Sequence, residues 1–159
     1  MIELNSKAWS DLKDAYGDAS HIPPLIAKLK EKTGPKVSSE DEPWNSLWSR
    51  LYHQDDIFSA SFATVPYLAE IAMQASPPIA WDFFLLPVSI EIQRVKQNVE
   101  IPHELMPPYF KALEDLARLA KNYISKKETN QDLIKAAQAM LLIESKQFSE
   151  AENLIDPED

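Results

Sequence analysis

His53, Asp55 and Asp56 group a histidine closely with two carboxylates, in the run His53-Gln54-Asp55-Asp56. An imidazole beside carboxylates suits general acid–base catalysis and metal binding. The spacing argues against both. Consecutive turn residues do not converge on one ion, and no His-x-x-x-His or Glu-x-x-His element follows. His21 and His103 stand in unrelated contexts. Ser59 and Ser61 lack the glycine-flanked elbow and positioned base of a nucleophilic serine, so they read as small packing residues. Glu114 and Asp115 are flanked by basic residues and read as solvated surface. No catalytic residue, metal ligand or cofactor site is assigned, and no enzyme activity is expected. The run reads as structure: Asp55 or Asp56 caps the helix that follows, while His53 and Gln54 bond to backbone groups left open at the turn.

The same carboxylates are candidates for binding. Glu40, Asp41 and Glu42 lie on the other side of a short helical stretch from Asp55 and Asp56, and the five are expected to form one negative patch. Tyr52 and His53 belong to that patch. Trp44 and Tyr52 are its aromatic candidates, although the spacing of Trp44 places it in a core stripe. Aromatic anchors within a charged rim are common in protein interfaces. Glu150, Glu152, Asp156, Glu158 and Asp159 form a second acidic cluster. The net charge of −9 disfavours nucleic acid and anionic membrane, which need basic patches. It favours a basic protein partner through long-range steering.

These residues are carried by segments that read as helices. Ala8, Trp9, Leu12 and Tyr16 share one face of a first helix, with Gly17 as its stop. The run "HIPPLIAKLKEKTGP" places prolines in a first turn, lysines in a last turn, and Gly34-Pro35 beyond. Lys36 to Pro43 is a polar loop. Trp44, Leu47, Trp48 and Leu51 make an amphipathic stripe. From Ile57 to about Ala75 the chain is apolar on nearly every side, with a kink expected at Pro66. "SPPIAWDFFLLPVSIEIQRVKQN" repeats that pattern, with prolines at the helix start and Pro87 inside. A long amphipathic helix follows Pro107-Pro108. A final helix pair is capped by Thr129 or Asn130 and breaks near Ser145-Lys146.

The chain has 159 residues, two glycines, twelve prolines and no cysteine. This length suits one domain, 1–159, with a core large enough to need no staples. Residues 156–159 are expected to fray. Gly17 and Gly34 are too far apart for a phosphate-cradling loop, and no Asn-Gly or Asp-Gly turn marks a tight hairpin. The lack of cysteine fits a reducing compartment. The N-terminus lacks the apolar core of a signal peptide and no window is long enough to span a membrane, so a cytoplasmic protein is expected. Successive helices with interior ones apolar all round suggest an all-α, HEAT-like α-solenoid of antiparallel helix pairs, or else an irregular helical bundle.

The segment from Trp44 to Ala72 resembles a helix pair of bacterial HEAT-repeat-like proteins, approximately W-x-x-L-x-x-x-L-x-H-Q-G followed by Tyr/Phe-x-Ala-Ser-Tyr/Phe-Ala-x-Val-Pro. The matching positions are Trp44, Leu47, Leu51, His53, Gln54, Phe58, Ala60, Ser61, Phe62, Ala63, Val65 and Pro66. The glycine after His-Gln is Asp55 here, which implies a differently shaped turn. The resemblance implies an all-helical HEAT-like fold and no catalytic activity. Some small acidic proteins of this kind look like immunity proteins, inhibitors that bind and occlude a cognate basic toxin domain. The expected partner surface is then Glu40, Asp41, Glu42, Tyr52, His53, Asp55 and Asp56. A scaffold for another protein partner is the second reading, and a hydrolase the third.

Overall fold

In order along the chain, the α-helices are α1 (Ile22–Glu31), α2 (Trp44–Leu51), α3 (Ser59–Gln74), α4 (Asp82–Lys96), α5 (Met106–Ser125), α6 (Gln131–Glu144) and α7 (Phe148–Ile155). The structure is a computed structural model and describes residues 1–126, 128 and 130–156. Between Ala60 and Ala69 every residue of α3 is buried, and α4 is nearly as enclosed. Two helices apolar on nearly all sides must be covered on all sides, and alternate helices do this. α1 packs on α3 and α3 on α5, while α2 packs on α4 and α4 on α6. α5 also packs on α6, and α7 closes over α6 and the end of α4. Among the described residues, no helix is long and apolar enough to cross a membrane.

Several boundaries fall where local chemistry puts them. Prolines occupy the first turns of α1 and α5, where a missing N–H costs nothing. Asn130 caps α6 through a bond from Leu133 N. Thr129, the other expected cap, lies outside the described residues, as do Pro157 to Asp159 of the expected tail. The break between α6 and α7 falls at Ser145–Gln147, with Lys146 in the left-handed region (φ 60). α3 and α4 run on through Pro66 and Pro87. The Pro77-Pro78 pair does not start α4, which begins four residues later at Asp82.

The expected first helix is instead a 3₁₀ turn, Lys7–Asp11, followed by a hairpin of β1 (Lys13–Asp14) and β2 (Gly17–Asp18). Gly17, at a positive φ of 141, opens β2 opposite Asp14 and is not a helix stop. Asp14 organises this turn. One carboxylate oxygen accepts Tyr16 N at 2.8 Å and the other accepts Arg50 Nη1 of α2 at 2.8 Å. A buried carboxylate thus fixes the N-terminal hairpin to the core.

A second hairpin, β3 (Tyr52–His53) with β4 (Asp56–Ile57), joins α2 to α3. This corrects the expectation for Asp55 and Asp56. Neither caps α3, because Asp55 lies in the hairpin turn and Asp56 in β4, and Phe58 holds the cap position. Its N–H donates to Ser61 Oγ at 3.0 Å, and the same hydroxyl donates to Leu51 O at 2.6 Å. Ser59 Oγ accepts Lys13 N at 2.8 Å, so both serines are joints between elements.

Candidate partner-binding site

The hairpin turn has two residues, Gln54 and Asp55, with His53 opposite Asp56 and Tyr52 opposite Ile57. Its φ angles, 49° and 67°, are both positive. That is the requirement of a type I′ turn, usually met by Asn-Gly. Asp55 stands where the resembling helix pairs carry glycine, and aspartate tolerates this conformation better than most residues.

A closed circuit of hydrogen bonds holds it there. Gln97 Nε2 donates to Asp55 O at 2.6 Å and to Gln93 Oε1 at 3.0 Å. Gln93 Nε2 donates to Tyr52 Oη at 3.3 Å, and Tyr52 Oη donates to Asp55 Oδ1 at 2.8 Å. The last turns of α4 thereby clamp the hairpin from behind. Trp48 meets the Tyr52 ring edge-on at 5.9 Å, and Tyr16 meets the His53 ring at 5.7 Å.

Burial first, and then the bond to Asp55, push the Tyr52 phenol up to about 12. The buried Tyr109 phenol is also raised, by burial and by Glu91 beside it. An unfolded phenol ionises near 10, so both groups hold a proton when folded that they release when unfolded. Their contribution is fully present below about pH 10 and is lost as pH rises through the folded values. Stability from urea titrations should therefore fall from about pH 10 upward. Tyr52→Phe should flatten that fall between about pH 10 and 12, and an unchanged slope would refute the assignment.

The expected negative patch is divided. Glu40, Asp41 and Glu42 precede α2, whereas Asp55 and Asp56 follow it, so a helix of eight residues, about 12 Å long, separates them. Asp41 accepts Val37 N at 2.6 Å and Ser38 Oγ at 3.3 Å, and the Val37 bond is the main cause of its lowered pKa. Glu42 accepts Ser46 Oγ at 2.8 Å. Both carboxylates shape the loop. Glu40, Asp55 and Asp56 are exposed, while Tyr52 and His53 are half-buried. Glu152 of α7, paired with Lys96 at 2.6 Å, adds a small upward push on the Tyr52 phenol. Trp44 is 2% exposed and belongs to the core. Among the described residues, no group of three or more His, Cys, Asp or Glu is placed to hold a metal ion.

A groove that the spacing did not point to opens at another face of α4, through Glu91, Arg94 and Val95. It has a volume of about 520 Å³ and lies between the end of α4, α5, α6 and the corner leading to α7. Glu91, 4% exposed, forms its floor. Its carboxylate accepts Arg94 Nε and Nη2 at 2.7 and 2.8 Å, and Tyr109 Oη at 2.8 Å. The Arg94 guanidinium lies over the Phe110 ring at 5.5 Å. The sequence signal for this groove was a second apolar stripe on α5, at Met106, Phe110 and Leu113, offset from the buried stripe at Tyr109, Ala112 and Leu116. Glu114, read as solvated surface, is one of its walls. The groove and the hairpin clamp both draw on the last turns of α4, through different side chains. No family model matches the chain, and neither does any curated protein or solved structure.

Proposed function

We propose that the chain is a non-enzymatic binding protein that neutralises a basic partner, as an immunity protein neutralises a bacterial toxin domain by occluding it. The observation that carries this reading is the clamped hairpin. It presents exposed carboxylates on a turn that costs little to order on binding, because the Tyr52–Asp55–Gln97–Gln93 circuit has already ordered it. The net charge of −9 supports a positively charged target by raising the encounter rate. Cytoplasmic residence is part of the same proposal. The alternate packing of helices would suit a HEAT-like layering, and with it the second reading, a scaffold for another protein.

Affinity capture from cells of the source organism, at about 50 mM and about 0.5 M salt, tests the proposal. The Debye length falls from over 10 Å to a few Å between these conditions. The captured protein should carry a basic domain, release at high salt, and bind Asp56→Lys and Glu40→Lys protein more slowly. Those two sites are chosen because Asp41 and Glu42 hold the loop together. Co-expression of the wild-type chain should relieve growth inhibition by the captured domain. A partner that is acidic, or whose association ignores both salt and Asp56→Lys, would sink the reading.

A further inference from the structure

We propose that Tyr16 is the aromatic anchor of the binding face, a ring on which an arginine of the basic partner stacks while Asp55 or Asp56 accepts its guanidinium. This rests on the basic-partner reading and adds the residue that selects arginine over lysine. Its spacing puts Tyr16 on the buried face of a helix, yet it stands in the two-residue turn between β1 and β2 and is 62% exposed. Among the described residues no Phe, Tyr or Trp is more exposed. The turn is nevertheless fixed. Tyr16 N donates to Asp14, Ala15 N donates to Arg50 O at 3.0 Å, and Lys13 N donates to Ser59 Oγ. Arg50 lies just before β3 and Ser59 just after β4, so the first hairpin is seated against the second. The Tyr16 ring meets His53, and His53 stands opposite Asp56, where cross-strand side chains share a face about 5 Å apart. Tyr16 and the exposed carboxylates of the second hairpin therefore belong to one surface.

Charge and ring chemistry together name the occupant. The Arg50 guanidinium lies 5.3 Å from the Tyr16 ring centroid, so the ring already receives one guanidinium, and its exposure leaves room for a second. Asp14 offsets the Arg50 charge at 2.8 Å, and Lys13 faces Asp18 across β1 and β2. Lys96, beside the clamp residue Gln97, is paired with Glu152. Among the described residues no ion pair engages Asp55 or Asp56, so two negative charges next to the ring have no counter-charge. A planar guanidinium stacks on an aromatic face and forks to a carboxylate at once, which the ammonium of lysine does not do. A ring and a turn that are already ordered lose little freedom when it arrives. A second copy of the chain is disfavoured, because it brings the same net charge of −9 to the encounter.

Acetyl-hexaarginine-amide and acetyl-hexalysine-amide, equal in charge, test this in nuclear magnetic resonance titrations of the full chain. Conditions are about 50 mM salt and about pH 8, where an ordinary imidazole is neutral. Both peptides should shift the amides of Asp55 and Asp56. Hexaarginine should bind about two- to fivefold tighter and move the Tyr16 ring resonances further. Tyr16→Leu, at an exposed position, should bring hexaarginine to the affinity of hexalysine while the spectrum keeps its dispersion. Tyr16→Trp should keep or widen the gap, since indole is the better ring for a cation. A gap absent from the wild type, one that survives Tyr16→Leu, or one that Tyr16→Trp abolishes would overturn the proposal. So would shifts confined to the C-terminal acidic cluster, or concentration-dependent hairpin shifts without a peptide, which would make a second copy the occupant. If the gap ignores Tyr16 while capture still responds to salt and to Asp56→Lys, only the arginine anchor is wrong. If capture ignores them too, the basic-partner reading fails with it.

Discussion

Trp44→Ala is expected to lower stability by about 3–5 kcal/mol, the usual cost of emptying a tryptophan-sized core site. Most domains have only about 5–15 kcal/mol in total, so much of this chain's reserve would go. Trp44 is 2% exposed and meets Phe83 edge-on, with ring centroids 4.9 Å apart. Its loss would open a cavity where α2 meets α4, the helix that also clamps the hairpin. Among the described residues, Trp44 Nε1 has no hydrogen-bond partner. Trp44→Phe should therefore lose much less, because it keeps a ring against Phe83 and removes an unsatisfied donor. Urea unfolding of the three proteins measures the difference. An unchanged melting curve in Trp44→Ala together with a lost complex would make Trp44 an interface anchor and contradict its burial.

The core position of Trp44 was legible because its spacing from Leu47 and Leu51 is itself the instruction: residues three and four apart share a helix face. The same holds for the prolines that open α1 and α5 and for Asn130, where the residue type states the backbone position. The hairpins were not legible, and the reason is physical. A type I′ turn announces itself through Asn-Gly, which enters positive φ at little cost. Gln54 and Asp55 are held there by side chains of Gln93 and Gln97, some 40 residues away in sequence and supplied only by tertiary packing. No local pattern encodes such a clamp. The first hairpin is similar, since Asp14 turns the chain there with the help of Arg50, 36 residues on. The seven proposed site residues were individually visible as charge and aromatic character. Their separate roles were not, because a carboxylate that holds a loop, as Asp41 does, looks the same in sequence as one that is merely exposed, as Glu40 is.

Lys36→Met should be nearly as damaging as losing Trp44, for an electrostatic reason. Asp82, 1% exposed, opens α4, and one of its oxygens accepts both Lys36 Nζ and Trp48 Nε1 at 2.7 Å. Its other oxygen has no hydrogen-bond partner among the described residues. Lys36 reaches it from the loop between α1 and α2, with only 14% of its side chain exposed. Removing the ammonium leaves a buried anion without its counter-charge, at a cost of about 3–5 kcal/mol. Asp82→Asn in the same chain removes that charge, keeps an acceptor for Trp48, and places an amide donor beside the orphaned oxygen's position. The double variant Lys36→Met/Asp82→Asn should therefore recover most of the loss, ending within about 1–2 kcal/mol of wild type, since buried pairs are often replaceable by neutral groups. Additive losses in the double-mutant cycle would show that Lys36 stabilises the loop by packing over Trp81, 5.7 Å from its ammonium, and not by neutralising Asp82. The distinction bears on the proposed binding face. α4 holds the hairpin at its last turns and the Asp82 charge at its first, so a helix start loosened by an unpaired anion would be transmitted along α4 to the Gln93–Gln97 clamp. Tyr52 fluorescence and Asp55 amide exchange should then change in Lys36→Met and return in the double variant.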